Sequence, residues 1–301
     1  MTDEATAVYD LHLHTFWSYD ATARVESYFE RARELGVRCM AITEHHVLDS
    51  QDDVRQAARN FTDVRVIPAA ELSVNTSIGA VDLLCYGFSD LISPGLQEVL
   101  DVYHDWQREY GSAISKGMCA LGFDYSDERR MELLQSYRPP QTLEVQGCTH
   151  VKNGVQRDYW LERGFISSLT EYSTVRSRAG AAVAAPPYPA VEKVIPAVKE
   201  SGALVAIAHP HGYFAQGDRN RMDHLVDECL LDGVECAHPS VPEDFTQVYR
   251  SYCEEKKLFS TGGSDCHSDE HVQTKFAVHN GEEEWLDEFL DRLDGRPKEQ
   301  C

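Results

Sequence analysis

Positive charge is scarce in this sequence of 301 residues. Its 28 Lys and Arg residues stand against 50 Asp and Glu residues, which gives a formal net charge of −22 at pH 7. Proteins that hold long DNA or RNA through the phosphates need a basic surface, so we expect no long nucleic acid partner. A small anionic substrate is compatible with this charge, because bound metal ions reverse its sign locally.

Long uninterrupted apolar runs are also missing. The most apolar region, residues 179–208, contains four prolines and four charged residues, so it cannot cross a bilayer as one clean helix. The first residues show neither a basic start nor an apolar run, so no secretory signal is visible. The nine cysteines are scattered, with no Cys-x-x-Cys pair, and we interpret most of them as reduced thiols, several of them buried. We therefore expect a cytoplasmic protein with no membrane partner; its oligomeric state stays open.

Short apolar segments alternate with helical patterns in both halves of the chain. This alternation indicates an α/β fold of parallel β/α units, in which the carboxyl ends of the strands carry the chemistry. About seven strands suit a barrel better than an open doubly wound sheet, and the lack of a glycine-rich loop after the first strand argues against dinucleotide binding. The predicted strands are 8–13, 37–43, 64–70, 81–86, 203–208, 233–236, 258–262 and a short last one at 276–279; the predicted helices are 26–35, 52–60, 190–201, 222–231, 244–257 and 283–293.

The stretch from residue 94 to residue 189 breaks this alternation. Apolar residues recur there with helical spacing over 96–121 and 160–172, and no alternation of strands and helices is visible. We therefore predict three parts of the chain. They are a barrel formed by 8–93 and 190–281, an inserted helical subdomain at 94–189, and a C-terminal helix and tail at 282–301.

The first predicted strand contains Tyr-Asp-Leu-His-Leu-His-Thr at residues 9–15. Side chains alternate faces along a strand, so Asp10, His12 and His14 point one way while the two leucines point the other way. Other strand ends also carry imidazoles or carboxylates, and β/α units bring those ends to one rim. Histidine mixed with carboxylate suits zinc, manganese or iron, and so many ligands suit more than one ion. The further candidates are Asp20, His45, Glu71, Asp82, His209, Asp265 and His267.

Several of these segments resemble, in order, the motifs of the PHP (polymerase and histidinol phosphatase) family. The resemblance extends from residue 9 to residue 267. The helical insertion is similar to that of the PHP branch that contains small-molecule phosphodiesterases, nucleotide phosphatases and a 5′-exoribonuclease. The similar segments are Asp-Leu-His-Leu-His-Thr (10–15), Ser-Tyr-Asp (18–20), Ile-Thr-Glu-His (42–45), Ala-Glu-Leu-Ser (70–73), Ala-His-Pro (208–210) and Gly-Ser-Asp-Cys-His (263–267).

The resemblance implies a distorted (β/α)7 barrel that holds two or three divalent metal ions, Mn, Zn or Fe. It also implies that Asp10 orients a histidine ligand from behind. The implied ligands are His12, His14, Glu71 and Asp265 for the first ion, Glu71, His209 and Asp82 for the second, and Asp20, His45 and His267 for the third.

Three features depart from the family pattern. Glu44 and His46 flank a ligand position where the family usually has Asp before and Asp or Asn after. Asp82 stands at a position that is commonly histidine, which either shifts the preference toward harder ions such as Mn²⁺ or Fe²⁺ or leaves the second ion weakly bound. The insertion lacks the Arg-Pro-His segment of the exonuclease and diesterase members and has Thr149-His150 at altered spacing, so a nucleotide substrate is not implied.

Two histidines and three arginines complete the candidate site. His46 and His211 flank ligand positions and could protonate a leaving group, because histidine titrates near neutrality. Guanidinium groups match the oxygens of a phosphate, so we expect a substrate clamp from Arg176, Arg178 and Arg24.

Together these features predict metal-dependent hydrolysis of a phosphate mono- or diester of a small molecule, such as a sugar phosphate, a nucleotide or a cyclic phosphate. In this mechanism a hydroxide that bridges two ions attacks phosphorus in line. One alternative is hydrolysis of a C–N or carboxylic ester bond at the same metal site, since a fold does not determine its reaction. The other is a non-catalytic metal-binding PHP module, in which Glu44 and Asp82 mark a decayed site.

Replacing Asp265 by Asn tests the predicted ligand set. The amide removes a negative charge that would hold a cation, so we expect metal affinity and phosphoester turnover to fall by about 100-fold or more. The metal content of the purified protein and kcat/KM for an aryl phosphate give the measurement. Wild-type turnover by this variant with unchanged metal content would contradict the predicted role of Asp265.

Overall fold

Seven strands form a single sheet that nearly closes into a barrel in the computed structural model, which describes residues 5–295. The strands follow one another around the sheet in chain order. Main-chain hydrogen bonds between residues 12–14 and 265–266 join its two ends. The strands are β1 (Tyr9–Leu13), β2 (Cys39–His45), β3 (Arg65–Thr76), β4 (Gly79–Tyr86), β5 (Leu204–Ile207), β6 (Gly233–Ala237) and β7 (Phe259–Gly262).

Helices connect the strands and cover the sheet. The first of them shows why they end where they do: Gly36 follows it with a φ of 72°, a left-handed conformation that costs glycine little. No helix of the described part is long and apolar enough to cross a membrane. The helices are α1 (Val25–Leu35), α2 (Gln51–Ala58), α3 (Pro94–Ala120), α4 (Asp127–Gln135), α5 (Pro140–Gln146), α6 (Asn153–Glu162), α7 (Tyr172–Ala182), α8 (Val191–Glu200), α9 (Arg219–Glu228), α10 (Glu243–Lys256), α11 (Asp269–Lys275) and α12 (Glu283–Asp294).

The fourth strand runs against its neighbours. The first three strands are parallel to one another, as are the last three, but β4 is antiparallel to both β3 and β5. The expectation of parallel strands is therefore wrong at β4, because the short turn at Ser77-Ile78 reverses the chain directly after β3. This hairpin pairs Asp82 with Ser73 and so brings Asp82 beside the later part of β3.

Residues 276–279 form no strand, so the prediction of a last strand there is wrong. Ala277 adopts a left-handed backbone with a φ of 58°. Its N–H donates to the Asp10 carboxylate at 2.8 Å, and its carbonyl oxygen accepts from the N–H groups of Thr6 and Ala7. Because a side chain and the N-terminal segment satisfy this backbone, it needs no neighbouring strand.

The inserted helices have an apolar core of their own. The helix predicted over 160–172 is shorter than expected: α6 ends at Glu162, and Gly164 turns the chain with a φ of 71°. The division into barrel, insertion and tail stays a prediction, and tail residues 296–301 lie outside the described part. The buried apolar residues of this core are Met118, Tyr125, Trp160, Ile166, Val175 and Ala179.

Replacing Trp160 by Ala tests how strongly the inserted helices depend on this core. The indole is fully buried, and the cavity left by its removal should lower the free energy of unfolding by about 3–5 kcal/mol. Urea denaturation measures the change. Leu169→Ala is the control, because Leu169 is 50% exposed and its truncation should cost less than about 0.5 kcal/mol. Equal losses in the two variants would contradict a well-packed core here.

Candidate metal centre

Four side chains from different parts of the barrel meet at its rim. The Nε2 atoms of His12 in β1 and His14 just after it lie 3.1 Å apart. Glu71 Oε2 in β3 lies 3.2 Å from Nε2 of His12 and 3.3 Å from Nε2 of His14. Asp265, after β7, brings its Oδ1 to 3.5 Å and 3.2 Å from the same two nitrogens. The four side chains predicted to hold the first ion therefore lie together.

Hydrogen bonds on the outer side of the rings leave the inward nitrogens able to bind a cation. His12 Nδ1 donates to Glu235 Oε1 at 2.9 Å, and His267 Nδ1 donates to a backbone carbonyl oxygen at 2.8 Å. His14 Nδ1 lies 3.2 Å from Ser18 Oγ, which donates its own hydrogen to a buried carboxylate and so accepts from the ring. With the proton on Nδ1, each Nε2 turns a lone pair toward the carboxylates of the cluster.

Glu71 faces a second group of ligands through its other oxygen. Glu71 Oε1 lies 3.2 Å from Nε2 of His209, which follows β5. Asp82 Oδ2 in β4 lies 3.7 Å from the same nitrogen. The Asp82 carboxylate accepts hydrogen bonds from the hydroxyl groups of Ser73 and Tyr213, so these two donors set its orientation. Glu71 therefore stands between two groups of candidate ligands.

A third group lies beside His14. His45 Nδ1 is 3.1 Å from Glu71 Oε2, and its Nε2 is 3.6 Å from Asp20 Oδ1. His267 Nε2 is 3.7 Å from Asp20 Oδ2. The rings of His45 and His267 both stack on the His14 ring, with centroids 4.3 Å away in each case. The structure thus brings all the predicted ligands into one connected cluster.

The spacing and charge of this cluster fit divalent ions. Ligand atoms that share an ion at about 2.1 Å lie roughly 3.0–3.4 Å apart, as the donor atoms of His12, His14 and Glu71 do. Burial opposes a charged imidazole, yet Asp265 and Glu71 raise the pKa of His14 to about 10. Burial would raise the pKa of Glu71, but His12 and His45 hold it well below its usual value. The cluster therefore demands positive charge, and its donors suit transition-metal ions.

The backbone after β5 and β7 has unusual conformations and close packing at the ligand positions. His209 and Asp265 have φ values of 27° and 55°, in a region that L-residues adopt at an energetic cost. Gly263, just before this segment, lies tightly against β1. A Cβ atom there would lie 2.2 Å from His12 Cβ and 2.8 Å from Glu235 Oε1, so only glycine fits without moving the ligand.

The hydrogen bonds of the Asp10 carboxylate in the described part of the chain come from backbone groups and not from a ligand ring. Its buried carboxylate accepts from the N–H groups of Ser264 at 3.0 Å and Ala277 at 2.8 Å, and more weakly from the N–H of His12. Asp10 thereby holds the loop that carries a ligand. The expectation that it orients a ligand ring is corrected, because the carboxylate on His12 Nδ1 is that of Glu235.

His46 and His211, the predicted proton donors, contact groups around the cluster. His46 is buried, which lowers its pKa well below the ordinary value, and its Nε2 lies 2.9 Å from Ser73 Oγ. His211 Nδ1 lies 3.1 Å from Tyr249 Oη, and its ring packs against Phe245. Neither ring shows a hydrogen bond to a predicted ligand within residues 5–295. Proton donation by these residues stays a prediction.

The three predicted arginines differ in their surroundings. Arg176 in α7 donates from Nη2 to Tyr110 Oη at 2.7 Å, and the Tyr110 ring packs against His150. The His150 ring in turn packs against the ring of Tyr19, which directly precedes the candidate ligand Asp20, so Arg176 is connected to the site. Arg178 is exposed, and Arg24 is exposed and pairs with an aspartate of α11. Among the described residues neither of these last two arginines shows a hydrogen bond or ion pair to a predicted ligand, and their contact with a substrate stays a prediction.

Two residues from β6 and its end were not singled out as site residues from the sequence. Glu235 is fully buried and accepts from His12 Nδ1 and from the N–H of His209 at 2.6 Å. His238 directly follows β6 and lies with its ring centroid 5.8 Å from that of His12. The rule that polar residues at strand ends belong to the site would have found His238, because it directly follows β6.

The comparisons with known proteins agree with this geometry. The fold and the site are those of a β/α barrel that carries a cluster of candidate metal ligands, imidazoles and carboxylates, at its strand ends. Residues 10–156 match the sequence profile of the PHP domain. These residues are therefore a PHP domain, and the predicted family is confirmed for this part of the chain. No curated protein sequence matches the chain.

Two solved structures share the fold. A protein from Bifidobacterium adolescentis, proposed to be a metal-dependent phosphoesterase, has a TM-score of 0.70 at 20% identity and covers 94% of this chain and 96% of that chain. An amidohydrolase from Chromobacterium violaceum, with bound sulfate and no metal, has a TM-score of 0.68 at 17% identity over 87% and 88% of the two chains. The predicted α/β fold, a distorted (β/α)7 barrel, is confirmed.

Replacing Glu235 by Gln tests the support of His12. The amide lacks the charge that fixes the proton on His12 Nδ1, so affinity for Mn²⁺ should fall by about 10–100-fold while the fold is retained. Isothermal titration calorimetry gives the dissociation constant. Glu243→Gln, at an exposed site where α10 begins, is the matched control and should bind like wild-type protein. Unchanged affinity in Glu235→Gln would contradict the role assigned to Glu235.

Proposed function

We propose that this protein hydrolyses phosphate esters of a small molecule with the help of divalent metal ions. The observation that carries the proposal is the position of Glu71, whose two carboxylate oxygens face different groups of imidazoles. A carboxylate in this place can share two ions, and paired ions suit in-line displacement at phosphorus. The PHP family and the Bifidobacterium neighbour support the same class of reaction. Around Glu71, Oε2 lies near His12, His14 and His45, and Oε1 lies near His209.

The residues of this chain would contribute geometry and charge to the reaction. Divalent ions bound there would act as Lewis acids on the phosphoryl oxygens and lower the pKa of water. Ser73 and Tyr213 hold the carboxylate of Asp82, and Glu235 holds the ring of His12, so the ligands are oriented before a substrate arrives. Since the protein has a net charge of −22, attraction of a phosphate depends on this local positive charge.

Arg176 is the arginine that we assign to contact with the substrate. It is half-buried in the insertion and is connected through Tyr110 and His150 to the third group of ligands. A guanidinium has five N–H donors, and the Tyr110 hydroxyl accepts from one nitrogen, so further donors can reach phosphate oxygens. The insertion would therefore help to select the substrate, whether a sugar phosphate, a nucleotide or a cyclic phosphate.

Four aryl substrates test the proposed reaction. The protein, loaded in turn with Mn²⁺, Zn²⁺ and Fe²⁺, is incubated with p-nitrophenyl phosphate, bis(p-nitrophenyl) phosphate, p-nitrophenyl acetate and an acyl p-nitroanilide. We expect turnover of one or both phosphate substrates. Glu71→Gln should lower kcat by about 100-fold or more, because it removes the shared charge. The control Glu98→Gln, at an exposed site on α3, should keep wild-type kcat.

Two other outcomes would contradict the proposal. Faster turnover of the acetate or the anilide than of either phosphate would indicate a hydrolase of ester or C–N bonds, the reaction class suggested by the Chromobacterium amidohydrolase. Metal binding without turnover of any of these substrates, or of a panel of sugar phosphates, nucleotides and cyclic phosphates, would indicate a non-catalytic metal-binding module.

A further inference from the structure

His238 lies at the metal centre, and one of its ring nitrogens has an ion-pair neighbour but no hydrogen bond of ordinary length. Its side chain is 6% exposed, and its ring centroid lies 5.4 Å from that of His209. The Nε2 atom is buried and has no hydrogen-bond partner among residues 5–295. It is directed toward Asp265, whose Oδ2 is 3.6 Å away. A buried donor or acceptor without a partner is costly, so this nitrogen calls for an explanation.

The protonation of this ring differs from that of the ligand histidines. The backbone N–H of Ser240 lies 3.0 Å from His238 Nδ1, and the Ser240 hydroxyl lies 2.7 Å from the same atom. An amide N–H can only donate, so Nδ1 is the acceptor and the proton of the neutral ring is on Nε2. In His12, His14 and His267 the arrangement is the reverse, with the hydrogen on Nδ1.

This tautomer excludes His238 as a metal ligand. One ring nitrogen of His238 lies within 4.8 Å of a ligand atom of His12 and of one of Glu235, which by distance alone suggests another ion site. An imidazole binds a metal through a lone pair, and in His238 the backbone N–H of Ser240 occupies that lone pair. The group that His238 directs into the centre is therefore an N–H donor.

The two carboxylate oxygens of Asp265 face different partners. Oδ1 lies 3.5 Å from His12 Nε2 and 3.2 Å from His14 Nε2, which is the position of a shared ligand atom. Oδ2 faces His238. The Asp265 side chain is 30% exposed, and a carboxylate that is not held in one orientation can offer a metal one oxygen or two.

We propose that His238 is a positioning residue that donates Nε2–H to Asp265 Oδ2 and so leaves only Oδ1 to bind the metal ion shared with His12 and His14. The inference rests on the metal centre of the proposed function but not on the phosphoester reaction. The ring nitrogen then has the acceptor that it otherwise lacks. Asp265 in turn binds in one orientation, which lowers the cost of ordering it when the ion arrives.

Metal titration of two variants tests the inference. In His238→Phe the donor is lost and the ring volume is kept, so the dissociation constant for Mn²⁺ should rise by about 10–100-fold. In His238→Gln the amide nitrogen takes the place of Nε2 and can still donate, so the constant should stay within about 3-fold of the wild-type value. His224→Phe, at an exposed histidine, is the control and should bind like wild-type protein.

The folded state of each variant is checked by circular dichroism and by the unfolding midpoint of the metal-free protein. If His238→Phe does not fold, His238→Asn replaces it, because the shorter amide reaches only the Nδ1 position. Wild-type affinity in the variant without the donor, or equally weak binding in His238→Gln, would overturn the inference alone. Failure of wild-type protein to bind any divalent ion would overturn the proposed metal centre together with it.

Discussion

The site is organised around one buried carboxylate. Glu71 is 1% exposed, and nitrogens of four histidines lie within 3.3 Å of its two oxygens. A carboxylate removed from water is stable only beside compensating positive charge. Burial disfavours charge on the imidazoles, yet Glu71 and its neighbouring carboxylates raise the pKa of His12 well above its usual value and that of His209 to about 9. Protons or metal ions supply that charge, and the inward lone pairs suit metal ions.

The barrel meets this requirement by bringing together residues that are distant in the chain. His12 and Glu71 are 59 positions apart, and His12 and Glu235 are 223 positions apart. The hairpin of β3 and β4 places Asp82 beside Ser73, and the missing side chain of Gly263 lets the end of β7 approach β1. The positive φ values at the ligand positions after β5 and β7 raise the conformational energy of the backbone, and the packing around these residues stabilises them.

The candidate ligands could be predicted because their pattern is local. Alternation along a strand places His12 and His14 on one face, and polar residues directly after apolar strands identify positions such as His209 and Asp265. The same reasoning failed where a contact across the barrel decides the outcome. Asp10 and Glu235 are both acids in strands, and only the folded chain shows which of them holds the His12 ring.

By itself, the sequence determined the family, the order of strands and helices over most of the barrel, and the candidate ligands of the metal centre. These follow from side-chain periodicity and chemistry, which are properties of short segments. Only the tertiary structure decided the direction of β4, the two faces of Glu71 and the tautomer of His238. Each of these depends on which groups meet in space, and hydrogen bonds between distant segments, such as those of Asp10 and Glu235, leave no periodic trace in the chain.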